Sequence, residues 1–215
     1  MTGLWIARRV AAHVPNTITS EGLRRAAVLV LMRDHGAMGG ARGGARGDPA
    51  ANPAAPAGAP VPEGTELDVV LTRRSAKMPS HAGQVSFPGG GLELHDADAE
   101  AGALREAEEE IGVPAALVTV VGRLDDLVTP SGYHITPVVG FCSPEVVLRP
   151  DVREVERVLA VPLRDLMDPG KWVQKSHALR GQRVLLWHFP FAGEDIWGAT
   201  AIVLRTFLSL IADAP

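Results

Sequence analysis

The chain has 215 residues, 46% of them hydrophobic and 21% charged, so one domain with a sizeable core and an appended segment is expected rather than two full domains. A net charge of −4 gives no overall attraction to nucleic acid or to an anionic membrane, so any phosphate recognition must come from a local site. One cysteine, Cys142, excludes an internal disulfide framework and a cysteine-rich zinc site, and its apolar neighbours make a buried thiol the expectation.

In chain order, residues 4–13 read as a short amphipathic helix within an N-terminal segment, 1–22, whose function is not legible. Arg8 and Arg9 interrupt its apolar stretch, so no signal peptide is expected. No later run reaches the roughly 18 apolar residues of a membrane span, and the expected location is cytoplasmic. Residues 25–32 form a compact apolar run suited to a strand buried on both faces. From 36 to 64 the chain is dominated by Gly, Ala and Pro, the composition of a flexible insertion between two strands. Arg42 and Arg46 within it are read as part of that insertion rather than as an RNA-binding arm.

A strand resumes at 67–72, and further strands are expected at 117–122, 135–141, 155–161 and 184–189 from their β-branched and aromatic content. Residues 199–212 carry apolar side chains at helical spacing. Between these elements lies the most distinctive stretch, 87–113. Pro88 and the glycines 89 to 91 are expected to stop any strand and turn the chain. Asp96 or Asp98 then caps a helix at 98–111, with Ala97, Ala101, Leu104, Ala107 and Ile111 as its apolar members and Gly112 with Pro114 as its stop. At about 100° per residue, Glu106, Glu109 and Glu110 share one arc, expected on the side away from the apolar stripe. Like charges at this spacing weaken a helix, and Gly102 weakens it further; clustered carboxylate oxygens are how hard divalent cations are held. An ordinary solvated helix face is the bland alternative.

These residues resemble the Nudix hydrolases, whose signature is G-x5-E-x7-R-E-U-x-E-E-x-G-U with U apolar. Residues 105–113 fit every fixed position of its second half, while Ala97 stands where the first glutamate belongs and Asp96 lies one residue early. An upstream pattern is similar to the coenzyme A pyrophosphatase branch: Val70, Leu71, Thr72, Arg74, Ser75, Gly83 and then Phe87, Pro88, Gly89 and Gly90. Its second arginine is replaced by Pro79. The stretches 131–141 and 196–201 also look like this branch.

The resemblance implies an α/β/α sandwich with a mixed sheet over 23–215, and Mg²⁺- or Mn²⁺-dependent hydrolysis of a nucleoside diphosphate derivative, with coenzyme A or its thioesters first. Another dinucleotide, NADH or ADP-ribose, stays open because of Pro79, and so does a non-catalytic nucleotide sensor. Carried onto the motif, Glu106, Glu109, Glu110 and the Gly90 carbonyl are the implied metal ligands. Glu109 is preferred as base, and Arg105 holds a carboxylate in place. Arg74, Ser75, His81, Gly83 and Tyr133 are the substrate-side candidates. Lys77 and His81 read equally as a solvated basic loop, and His134 is a further candidate for lining the cleft beside Tyr133. Glu154 and Glu156 are open between a further site carboxylate and a surface role. Trp172, Trp187 and Trp197 are expected to pack rather than to stack on a base. The implied partner is a small nucleotide, with no nucleic acid and no membrane; a homodimer stays open.

Overall fold

A computed structural model describes residues 3–19, 22–34, 66–179 and 181–212; the 36–64 insertion lies outside the described residues. Strand β1 (Arg24–Asp34) is the centre of the main sheet. It pairs in parallel with β7 (Tyr133–Cys142) along one edge. Along the other it pairs antiparallel with two strands in succession, β4 (Gly89–Gly91) and β2 (Leu67–Arg74). β2 continues to β3 (Val85–Ser86) and β8 (Val155–Pro162), while β7 continues to β5 (Val118–Arg123) and β6 (Leu127–Val128). One parallel pair among antiparallel ones makes the sheet mixed.

Alternation along β1 divides its apolar side chains between two cores. Val30 and Met32 enter a core with α1 (Gly3–Ala12) and α4 (Gly198–Leu210). Ala27, Leu29 and Leu31 enter another with α2 (Ala99–Ile111). The strand is therefore buried on both faces, as its unbroken apolar run implies, and the layers are helix, sheet, helix. A second sheet of β9 (Val173–Leu179), β10 (Gln182–Phe191) and β11 (Glu194–Ile196) contributes Phe189 and Ile196 to the α4 core, and a short α3 (Leu163–Leu166) contributes Leu163 and Leu166. Among the described residues no helix is long and apolar enough to cross a membrane. Cys142 is buried, and that burial pushes its thiol up to about 11.

The ends of α2 follow local chemistry. The Asp98 carboxylate accepts the Ala101 N–H at 2.8 Å, and Gly112, at φ 68°, closes the helix by donating to the Glu108 carbonyl. Its buried face differs from the expected stripe. Ala99, Ala103, Ala107 and Ile111 face the sheet together with Gly102 and Glu110, whereas Ala97 precedes the helix and Ala101 and Leu104 are only partly covered. Gly102 has a packing cause, since a Cβ there would fall on Leu92 Cδ2.

The glycine stretch also departs from expectation, because its three glycines form strand β4 instead of ending one. A Cβ on Gly89 would strike the Ala27 carbonyl and Val28 Cα, so only a bare backbone can lie this close to β1.

Candidate active site

The floor of the site is the β4 backbone, and its wall is the face of α2. Gly90 is bare where the Glu106 carboxylate passes: a Cβ there would lie 2.5 Å from Glu106 Oε1. One residue earlier, the Gly89 N–H donates to Glu110 Oε2 at 3.1 Å. Arg74, at the end of β2, reaches Glu110 Oε1 from the other side at 3.5 Å. Glu110 is only 2% exposed, so it sits in the middle of the face turned to the sheet and not on the solvent side of the helix. Helical angles fix residues relative to one another but leave the facing direction free; here small alanines bring the sheet up to the carboxylates.

Burial pushes the Glu110 carboxyl up to about 7, against the Gly89 N–H and Arg74, with Glu106 and Glu154 raising it further. Glu106 is also raised, first by burial, with Glu109 and Glu154 adding to the effect and Arg105 opposing it. Glu154 is thus a fourth carboxylate in the field of this cluster. Glu156 instead forms an ion pair with Arg73 at 2.6 Å. The loop carrying Glu154 is tied to the site by its backbone: Ser75 N–H donates to the Glu154 carbonyl at 2.7 Å, and Asp151 N–H to the Glu110 carbonyl at 2.9 Å.

Arg105 organises the outer rim. Its Nε and Nη2 donate to the two carboxylate oxygens of Asp96 at 3.0 and 3.1 Å, and Nη2 also to the Gly91 carbonyl at 3.1 Å. Its Nη1 donates to Glu106 Oε1 at 3.1 Å and Glu109 Oε2 at 3.0 Å. Asp96 therefore supplies the bidentate partner that the motif would put at Ala97. A bend at 92–98, in which the Glu93 N–H donates to Asp96 Oδ2 at 2.8 Å, makes up the one-residue offset.

The Arg105 hydrogen bonds, with that from Glu93, hold the Asp96 carboxyl at about 2, below its ordinary 3.8. Because the folded value is depressed, the stabilisation is complete above about 3.8 and is lost as pH falls through about 2. Asp96→Asn is expected to melt below the parent protein at neutral pH, with the difference closing in that acid window. A difference in melting temperature that stays constant into acid would remove this pairing as its cause.

The structure brings Arg74, Gly90, Arg105, Glu106, Glu109 and Glu110 together. Ser75 and Gly83 frame the same corner: Gly83, at φ 71°, donates to the Arg74 carbonyl at 3.1 Å, and Ser75 is buried. His81 stands on the exposed part of that loop, bonded to Gln84 Oε1 at 2.9 Å. Tyr133 starts β7, across β1 from the glycine strand, with the Arg24 guanidinium 3.9 Å above its ring. His134 Nε2 lies 2.8 Å from Asp126 Oδ2. Trp172 packs in the core and donates to the Leu166 carbonyl at 2.8 Å, and Trp187 lies under Arg205.

The donor set is one of hard oxygens, the type suited to a divalent cation such as Mg²⁺ or Mn²⁺. Among the described residues no group of three or more His, Cys, Asp or Glu side chains is already gathered into a cation cage. Arg105 holds oxygens of Glu106 and Glu109 instead. The fit rests on chemistry and burial: carboxylates raised by burial and mutual repulsion gain most from a cation.

A family model described as the NUDIX domain matches residues 53–183, more than half of the chain. The chain belongs to the Nudix family. Among its relatives, this Nudix protein is 37% identical over 147 residues to an Escherichia coli K12 protein described as an uncharacterized Nudix hydrolase, NudL, covering 68% of this chain and 77% of that one. A NudL of the same description from Photorhabdus laumondii is 39% identical over 137 residues, covering 64% of this chain and 73% of the relative. A MutT/nudix family structure from Enterococcus faecalis superposes with a TM-score of 0.52 at 15% identity, covering 98% of this chain and 68% of that one, a likeness of fold alone. Nudix hydrolases are generally pyrophosphohydrolases that typically use divalent metals and act on nucleotide-derived small molecules.

Proposed function

We propose that this Nudix protein cleaves coenzyme A or acyl-coenzyme A into 4′-phosphopantetheine, or its acyl form, and adenosine 3′,5′-bisphosphate, with Mg²⁺ or Mn²⁺. The observation that carries the reading is the contact of Arg74 with Glu110. It joins the upstream coenzyme A-like motif to the Nudix carboxylates, with Ser75 bonded to the Glu154 backbone behind it.

Water attacks one phosphorus of the diphosphate, the bond from that phosphorus to the bridging oxygen breaks, and the bridging oxygen leaves on the other phosphate. A bound divalent cation supplies neutralisation of the diphosphate charge and a lowered pKa for water. Glu106, Glu109, Glu110 and the Gly90 carbonyl are the groups of this chain that hold it. Glu109, on the exposed rim, takes the proton from water. Arg105 positions Glu106 and Glu109 by the hydrogen bonds it donates to them. Arg74 meets a phosphate oxygen, while Ser75, Gly83, His81 and Tyr133 bind the rest of the substrate.

Pro79, in the place of a motif arginine, supports a second reading in which another dinucleotide such as NADH or ADP-ribose is preferred. A panel of coenzyme A, acetyl-coenzyme A, NADH and ADP-ribose with either metal separates them. Adenosine 3′,5′-bisphosphate is expected from coenzyme A. Its absence beside rapid hydrolysis of another member would overturn the first reading.

A further inference from the structure

On the second sheet, the register sets His177 opposite Val184 and His188 opposite Val173, which places both imidazoles on one face of β9 and β10. Their Nε2 atoms lie 2.8 Å apart. His188 Nδ1 is 3.0 Å from both oxygens of Asp195, and Asp195 is held in turn by Lys175 Nζ at 2.6 Å. An ionised carboxylate only accepts, so the proton of neutral His188 sits on Nδ1 and its Nε2 presents a lone pair. Two lone pairs cannot face each other at this distance. The space between the two nitrogens must hold a shared proton, carried by His177 Nε2, or a cation in its place.

We propose that His177 and His188 chelate a borderline divalent transition ion, Zn²⁺ or Ni²⁺, at a site separate from the carboxylates of α2. Imidazole nitrogens select such ions over Mg²⁺ and Mn²⁺. Metal–nitrogen bonds of about 2.0–2.1 Å in tetrahedral geometry put two nitrogens about 3.3 Å apart, so the pair needs to open by only about 0.5 Å. His177 is the half-buried member and can make that movement. Asp195 supplies the second-sphere acceptor that orients a ligating histidine. Trp197 stacks near-parallel on both rings, with centroids at 5.1 and 5.7 Å, and limits their rotation. Binding needs a lone pair on His177 Nε2, and the neutral ring supplies it by moving its proton to Nδ1, so the ion enters by a change of tautomer with no net proton release. Solvent completes the coordination. Nothing here depends on which dinucleotide is hydrolysed.

The test is Zn²⁺ titration of the whole chain by calorimetry in the presence of excess Mg²⁺, with Ni²⁺ as a second probe. The parent protein is expected to bind one equivalent more than His177→Ala. Asp195→Asn is expected to bind that equivalent about tenfold more weakly. Equal stoichiometry and affinity in the parent and His177→Ala would overturn the proposal. His188 is buried and its alanine variant can fail to fold, so the half-buried His177 carries the test. Histidine ring resonances give an independent readout: Zn²⁺ must move those of His177 and His188 while Mg²⁺ does not, and a response confined to α2 would equally overturn it.

Discussion

Glu110→Gln is expected to lower turnover by roughly two to four orders of magnitude while changing stability by less than about 1 kcal/mol. The two effects separate because the side chain does two things. As a shape it fills the gap between α2 and β4, and glutamine has nearly the same volume and can still accept the Gly89 N–H through its carbonyl oxygen. As a charge it is an unfavourable tenant of a buried place, so removing it does not weaken the fold. What glutamine cannot do is supply an anionic oxygen to a divalent cation. Glu109→Gln is expected to fall to a similar degree for a different reason, the loss of the proton acceptor. Steady-state kinetics at saturating Mg²⁺, with thermal unfolding of each variant as the control, measures both. Unchanged turnover in both variants would dismiss these carboxylates as the reacting centre.

Neighbouring glycines are expected to respond in opposite ways to the same substitution. Gly89→Ala should destabilise the fold by about 3 kcal/mol or more. Its φ of 151° is a conformation that side chains rarely adopt, and the added carbon meets main-chain atoms of Ala27 and Val28 that cannot move without shifting β1. Gly90→Ala meets only the carboxylate end of Glu106, at 2.5 to 2.7 Å, and that flexible group can swing aside. Stability should then change by less than about 1 kcal/mol, while displacement of Glu106 lowers turnover by about a hundredfold. Denaturant unfolding and kinetics on the pair distinguish backbone packing from site geometry. A Gly89→Ala protein as stable as the parent would show that β4 is not held tightly to β1. Undiminished turnover in Gly90→Ala would show that the position of Glu106 is immaterial.

Much of this was readable from the chain because the relevant signals are local. Asp98 and Gly112 bound α2 through contacts within one turn, and the apolar runs of β1, β2 and β7 are long enough to require burial on both faces. What was not readable depends on partners remote in sequence. The glycines of β4 carry no side-chain pattern and become a strand only because β1 leaves an open edge beside them. Strand β9 is exposed along most of its length and shows no alternation. Glu110 belongs by angle to the same acidic arc as Glu109, and only the position of the sheet decides that one is buried and the other is not. Asp96 illustrates a related limit: counting residues places it one position away from its role, and the bend before α2 restores it.

The attachment of the 149–154 loop has a consequence for the charge around the site. Arg149 and Asp151 donate to the last carbonyls of α2, those of Ile111 and Glu110, at 2.7 and 2.9 Å, so the loop is anchored at one end of the helix before it presents Glu154. The distance from anchor to carboxylate is set by three residues of chain. An insertion or deletion there would move one acidic group relative to Glu106 and Glu110 and leave the helix and its glycine floor intact. Such a loop works as a ruler. Changing its length is a route to altering the charge felt by Glu106 and Glu110 without altering a single residue of the Nudix motif.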